Sequence, residues 1–378
     1  MAEWIELNRW GLLIAGVFLL AWSIQLIYLF VYFLKSVQTS KKETTHKLPP
    51  VSVVICARNE ENNLMQHVPF IMEQDYPKFE LVVVNDSSWD DTENILKALS
   101  LRYPNIKIVN LDEEKQNIQG KKFALTLGIK AAQYDLLLLT DADCMPSSDQ
   151  WIRQMCSQVD GKIQLVLGVS PYKKYDGWLN RIIRFDTLMI IAHYVGFSKA
   201  GKTYMGVGRN MMYNKELFFS VGGFKSHYSI ASGDDDLFVN QVANSRNTAT
   251  VVDLDSQTIS EPKRTWSEWF IQKRRHFTTS PLYKSAHKNM LLLWPASYFV
   301  MMFAFGSSFF FLQTIALLVS ALLLVRYIVQ IAILHRVSKQ LKQAADLAWL
   351  APVLELHLHL LNLWLYLVNL VRKPQKWN

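Results

Sequence analysis

The sequence predicts an α/β domain with a mostly parallel central sheet, flanked by transmembrane and interfacial α-helices. Two observations carry that prediction. From about residue 49 to residue 262, short apolar runs alternate with segments of helical periodicity, the order that builds a parallel sheet covered on both faces. Long apolar blocks lie on either side: Trp10 to Phe33, without a charge, and Met290 to Leu334, whose single charge is Arg326.

The first block has 24 residues without a charge. At about 1.5 Å per residue it reaches roughly 36 Å, enough to cross a hydrocarbon core of about 30 Å with some tilt. A signal peptide is excluded by the acidic balance of Glu3, Glu6 and Arg9 ahead of it, by its length and by the lack of a small-residue cleavage site. The second block is twice the length of one span and carries no charge before Arg326, so it reads as a helical hairpin turning near Gln313. A third block, Leu347 to Val371, contains Glu355, His357, His359 and Asn362, and reads either as a further span or as a helix lying at the interface. The expected divisions are 1–48, a membrane helix and basic linker; 49–262, the catalytic domain; 263–288, an interfacial amphipathic region; and 289–378, C-terminal membrane helices.

Basic residues set the expected topology. Lys35, Lys41, Lys42 and Lys47 follow the first span, Lys284 and Lys288 precede the second, and Arg336, Lys339 and Lys342 follow the third. All three places favour the cytoplasmic side, which makes this an integral protein of an inner or plasma membrane with a cytoplasmic domain. A fourth span would put Arg372, Lys373 and Lys376 outside, against the rule. The formal net charge of +8 suits a surface resting on anionic lipid, and nothing beyond that charge points to nucleic acid. Three cysteines, an odd number, fit a reducing compartment.

Within the domain, Val51 to Cys56, Leu81 to Asn85, Ile106 to Asn110 and Leu136 to Thr140 read as strands. Asn62 to Gln74, Thr92 to Arg102 and Lys121 to Ala132 read as the helices between them. Three strand ends are polar: Arg58-Asn59-Glu60, Asp86-Ser87-Ser88 and Asp141-Ala142-Asp143. In such a sheet ligands bind at the carboxyl ends of the strands. Asp141 and Asp143, one residue apart at a strand end, are expected to point the same way. Paired carboxylates suit a hard divalent cation shared with substrate phosphates, Mg²⁺ or Mn²⁺, and hence a nucleotide-diphosphate guest.

These residues carry a family resemblance. Val51 to Glu61 (VSVVICARNEE), Val82 to Thr92 (VVVNDSSWDDT), Gly120 to Leu125 (GKKFAL) and Asp141-Ala142-Asp143 resemble the nucleotide-sugar half of the family 2 inverting glycosyltransferases with the GT-A fold. Gly206 to Tyr213 (GVGRNMMY), Gly222 to Phe224, Gly233 to Leu237 (GDDDL) and Gln272 to His276 (QKRRH) resemble that family's acceptor-side motifs, in the same order. The likeness extends to ceramide glucosyltransferases and to the catalytic domains of polysaccharide synthases.

The resemblance implies roles. Asp86 would accept a hydrogen bond from the nucleotide base; Ala57 and Glu60 would flank the nucleoside; Lys121 or Lys122 would sit by the base or phosphates. Asp143 would bind the metal, with Asp141 toward the ribose or the metal's waters. Gln272 and Arg275 would reach the diphosphate. Inversion needs a base opposite the leaving group, and the Asp234-Asp235-Asp236 cluster supplies one: Asp235 aligns with the base and Asp234 with its neighbour, while a slip of one residue makes Asp234 the base. At His276 the family usually has Trp. The implied activity is transfer of a sugar, from a UDP-sugar, to a lipid-linked or polysaccharide acceptor. A processive polysaccharide synthase and a non-catalytic sugar-binding scaffold are the alternatives.

Overall fold

The computed structural model describes residues 2–38, 48–112, 120–230, 232–311, 313–343 and 346–372. Lys41, Lys42, Lys47, Lys373 and Lys376, invoked above for topology, lie outside the described residues.

The chain opens with helix α1 (Ala2–Ile27), which runs through a π-helical stretch, Tyr28–Phe33, into the short α2 (Leu34–Ser36). The domain then reads β1 (Val51–Ala57), α3 (Glu61–Met72), β2 (Phe79–Asp86), α4 (Thr92–Arg102), β3 (Ile106–Leu111), α5 (Lys121–Ala131), β4 (Leu136–Leu139), β5 (Cys144–Pro146), α6 (Trp151–Cys156), β6 (Leu165–Leu167) and α7 (Trp178–Lys199). It continues with β7 (Met211–Asn214), α8 (Lys215–Ser220), α9 (Asp236–Val242), β8 (Thr248–Thr250) and β9 (Thr258–Ser260). After α10 (Trp266–His276) come α11 (Ser285–Ser308), α12 (Gln313–Gln340), α13 (Asp346–Trp349) and α14 (Ala351–Val371).

Seven strands form one sheet in the order β3-β2-β1-β4-β7-β6-β8. The first four are parallel to one another, and β7 runs antiparallel to both of its neighbours. The chain winds outward from β1 to β3 and then returns to the other side of β1 with β4. That reversal opens a crevice at the carboxyl ends of β1 and β4, and the candidate site occupies it.

Strand alternation sends successive side chains to opposite faces. Val51, Val53, Ile55, Leu81, Val83 and Leu138 pack with Leu64 and Val68 of α3, Leu96 of α4 and Trp151 of α6. Val54, Val82, Leu137 and Leu139 pack on the other face with Leu125 and Ile129 of α5 and with the length of α7. The second cluster does not stop at the domain. It takes in Tyr28, Leu29 and Phe33 from the π-helical stretch, Trp294 from α11 and Leu334 from α12. Contact there is close: a Cβ on Gly196 of α7 would lie 2.3 Å from the Tyr32 carbonyl oxygen, so only glycine lets the two backbones meet.

Four helices are long and apolar enough to cross a membrane by length and composition: the first helix, α11, α12 and α14. The expected hairpin is present, with α12 beginning at Gln313. One expectation is corrected. In the interfacial region 263–288, Trp266, Trp269 and Phe270 are expected on one membrane-facing side of a helix, with basic residues opposite. In α10, Trp269 is instead only 2% exposed and belongs to the domain core, and Lys273 is buried against Asp186 of α7, with both Nζ···O distances under 3 Å. The reason is the partner on α7: a buried carboxylate draws the ammonium inward, where an unpaired charge would be costly.

Candidate active site

β1, β2 and β4 end on one rim, and each delivers a polar group there. Asp86 closes β2 and is 5% exposed. Ala57 closes β1, and Glu60 follows it, taking a hydrogen bond from Asn63 Nδ2 at 2.6 Å. Burial pushes the Glu60 carboxyl up from its usual range. The loops after β1 and β2 latch together: Asn59 N–H donates to Ser88 Oγ, and Trp89 N–H donates to Asn59 Oδ1, each at 3.0 Å. Asn59 and Ser87 sit at φ 57° and 55°, a left-handed conformation that Asn tolerates better than most residues. The latch presents Trp89, 83% exposed, at the cavity mouth.

The Asp141-Ala142-Asp143 carboxylates converge, though by a route other than strand alternation. β4 ends at Leu139. Asp141 and Asp143 lie in the turn that follows, closed by the Cys144 N–H to Asp141 carbonyl hydrogen bond at 3.1 Å. Ligand atoms of Asp141, Asp143 and Cys144 fall within 4.8 Å of one another. Burial and the neighbouring Asp141 push the Asp143 carboxyl up, so two half-buried carboxylates lie close together and a cation would relieve their repulsion. The oxygen pair fits Mg²⁺ or Mn²⁺. Cys144 does not belong to that set: burial holds its thiol well above the usual range, its sulfur contacts Ser260 Oγ at 3.0 Å, and hard cations prefer oxygen.

The two candidate lysines separate. Lys121 opens α5 and bridges the two acidic motifs, with Nζ 2.7 Å from Asp141 Oδ1 and 3.2 Å from Asp234 Oδ2. Lys122 points elsewhere. About 100° further round the helix, it donates to the carbonyls of His227 and Ile230 at 2.6 and 3.0 Å, and burial lowers it to about 8. Its place beside the nucleotide is therefore withdrawn; it anchors the 227–230 loop.

The three aspartates 234 to 236 have distinct surroundings. Burial works against the Asp234 charge, but the Lys121 ammonium holds its carboxyl below the usual range. Asp236 accepts hydrogen bonds from Thr279 Oγ1 and from the Tyr283 hydroxyl, which ties the start of α9 to the segment leading into α11. Asp235 caps α9 and accepts the Gly208 N–H at 2.9 Å. A Cβ on Gly208 would stand 3.4 Å from Asp235 Cβ and 3.6 Å from Asp235 Oδ2, in ordinary van der Waals contact. Burial, with Asp234 and Asp236 on either side, pushes Asp235 up to about 7. That suits a group that must hold and release a proton near neutrality.

From α10, Gln272 and Arg275 line the same cavity, with Gln272 Nε2 3.4 Å from the Tyr172 hydroxyl. His276 lines it too, and burial lowers it to about 3. It is therefore an uncharged ring where the resembling family carries Trp. One cation escaped the sequence reading. Arg209 stacks on Tyr172, 4.5 Å from the ring centroid, and its Nη1 has no hydrogen-bond partner. The signal for it was the Gly206-Val207-Gly208 turn just before, which brings backbone and the following side chain against a ligand.

The acidic and basic groups of the site, Lys122 apart, open on one cavity of about 1970 Å³, which extends from Asp86 and Trp89 past Asp235 to Leu292 and Phe299 of α11 and Leu363 of α14.

Comparison with known proteins agrees with this geometry. The profile of glycosyl transferase family 21 matches residues 18–378. The chain belongs to that family. Among curated proteins it is 29% identical over 194 residues to glycosyltransferase AglE of Haloferax volcanii, covering 50% of this chain and 60% of that protein. It is 31% identical over 111 residues to a beta-monoglucosyldiacylglycerol synthase of a Nostoc species, covering 29% of this chain and 23% of that protein. The matches thus span less than two thirds of these relatives' lengths. The mannosyltransferase PcManGT from Pyrobaculum calidifontis, solved with GDP-Man and Mn²⁺, aligns with a TM-score of 0.58 at 18% identity over 87% of this chain and 98% of that one. The GT-A-type fold expected from the motifs is present.

Proposed function

We propose that this protein is a metal-dependent inverting glycosyltransferase of the membrane, moving a hexose from a nucleoside-diphosphate donor, a UDP-sugar, to a lipid-linked or glycan acceptor at the cytoplasmic face. One observation carries the reading: the donor carboxylates Asp141 and Asp143, the near-neutral Asp235 and apolar walls from α11 and α14 share one cavity.

In this reading Asp86 and Glu60 hold the nucleoside and Trp89 stacks on the base, since an aromatic face serves any base. Asp143, with Asp141 beside it, would hold Mg²⁺ or Mn²⁺, whose charge offsets that of the departing diphosphate. Arg209 and Arg275 are placed to meet the phosphates, where a guanidinium pairs in bidentate fashion. Asp235 takes the proton of the acceptor hydroxyl as that oxygen forms its bond to the anomeric carbon. The bond to the nucleotide breaks on the opposite face, and its electron pair leaves with the diphosphate. Asp234, kept ionised by Lys121, maintains the negative neighbour that holds Asp235 near neutrality.

The test is hydrolysis and transfer by detergent-purified protein across a panel of UDP- and GDP-sugars, with Mn²⁺ and with chelator. Turnover of at least one donor that needs both the cation and Asp235 is expected; cation-independent activity, or none with any donor, would overturn the reading.

A further inference from the structure

α14 is long enough to span a bilayer, about 31 Å for its 21 residues. Its contacts are not those of a span. Just before it, Gln343 Oε1 accepts from Arg184 Nε of α7 at 2.6 Å, and Asp346 faces Arg181 of α7 at 3.6 Å. At its far end, Asn369 Oδ1 accepts from Arg274 Nε of α10 at 2.8 Å, Asn369 Nδ2 donates to the Arg274 carbonyl at 3.0 Å, and the Arg372 carbonyl accepts from Arg274 Nη2 at 2.6 Å. Trp364 meets Phe270 of α10, with centroids 5.7 Å apart. α7 and α10 are themselves joined by the Lys273–Asp186 pair, on the same stretch of α7 as Arg181 and Arg184. A helix leaving the catalytic unit across a bilayer would end about 30 Å away from it. This one returns to the same unit.

Its second turn is held as firmly. Glu355, 1% exposed, pairs with Arg326 of α12 at 2.7 and 2.8 Å. Gln25 of α1 accepts from the same guanidinium at 2.6 Å, so a buried polar knot joins three helices where α14 passes over the bundle. About 100° round the helix from Glu355, α14 carries a stripe at helical spacing, Leu356, Leu360, Leu367 and Leu370, each 39–67% exposed. A continuous apolar stripe of this kind is unusual in water and normal at a membrane surface.

From these contacts we infer that α14 lies in the plane of the bilayer, its leucine stripe immersed at the headgroup boundary of anionic lipid, so that the protein crosses the membrane three times and its C-terminal end stays on the catalytic side. The charges agree. In this arrangement Arg372 shares a side with Lys284, Lys288, Arg336 and Lys339, as the distribution of basic residues requires. Four spans would separate them.

Sidedness decides the matter without reference to activity. Arg372→Cys, and separately a cysteine appended after Asn378, are compared in sealed vesicles with Lys97→Cys on exposed α4 and with Gln313→Cys at the start of α12, using a membrane-impermeant maleimide and the parent's three cysteines as background. Only the carbonyl of Arg372 serves the contact with Arg274, so that substitution keeps it. Labelling of both C-terminal probes together with Lys97→Cys is expected, whichever way the vesicles face. Labelling together with Gln313→Cys would overturn the in-plane arrangement and make α14 a fourth span.

Discussion

Lys121 Nζ stands between Asp141 and Asp234, 2.7 Å from one carboxylate and 3.2 Å from the other, and so couples the motif after β4 to the one before α9. Although burial disfavours its charge, the two carboxylates hold the ammonium well above the usual lysine range. It is charged at every pH of interest. Lys121→Gln should lower turnover and raise the pH at which transfer reaches half its maximum, because the lysine charge works to lower Asp235. An unchanged midpoint in a pH–rate profile would disconnect the two motifs.

Transfer by the parent protein should itself rise with pH. Asp235 lies above the ordinary carboxylate range, at about 7. Below that pH it is protonated and cannot take the acceptor's proton; above it, the base form accumulates. The rising limb of kcat against pH, at saturating donor and cation, is therefore expected near neutrality and should vanish in Asp235→Asn.

Asp235→Asn should leave donor affinity nearly intact while reducing kcat on the order of a hundredfold or more, since a general base acts in the transition state. Asp234→Asn should affect donor binding and the pH midpoint more than the chemistry. If Asp234→Asn is inactive and Asp235→Asn keeps full turnover, the base is Asp234.

Asp143→Asn replaces a charged oxygen ligand with a neutral one. Calorimetric titration of nucleotide with and without Mn²⁺ should lose its metal-dependent part in this variant. Unaltered metal dependence would remove Asp143 from the ligand set.

Trp89→Ala should weaken nucleotide affinity by about 1–3 kcal/mol, the range for one lost base stack, and leave thermal stability unchanged because the indole is exposed. Trp269→Ala should do the reverse: truncating a core tryptophan costs about 3–5 kcal/mol. Only Trp266, 38% exposed, suits a test of acceptor entry along the interface. Trp266→Ala should impair transfer to a lipid acceptor more than donor hydrolysis, and equal loss of both would count against that route.

How much of this was legible in the sequence depended on element length and on what each side chain could choose between. β1, β2 and β3 have six to eight residues and were placed nearly to the residue, as were α4 and α5. β6 and β8 have three residues each and β7 four, too few for periodicity to register, so the half of the sheet beyond β4 was not foreseen. Asp86, Asp141, Asp143 and Asp235 were found because strand ends and acidic clusters are visible locally. The choice between Lys121 and Lys122 was not visible. It turns on which of two adjacent side chains meets a carboxylate and which meets a pair of carbonyls more than a hundred residues away. The burial of Trp269 was not visible for the same reason: an amphipathic pattern shows that a helix has two faces, not which surface each one meets.

The second apolar cluster places Tyr28, Leu29, Phe33 and Trp294 against α7 and, through it, the sheet. One face of the catalytic fold is therefore finished by residues that arrive from the bilayer. Cutting the chain at residue 48 or 288 to obtain a soluble enzyme would bare that face, and the truncated product should collect in aggregates however well its active-site residues are preserved. Lipid and detergent act here as part of the folding environment, and the choice of either would be felt at the α7 face of the sheet before any acceptor is bound.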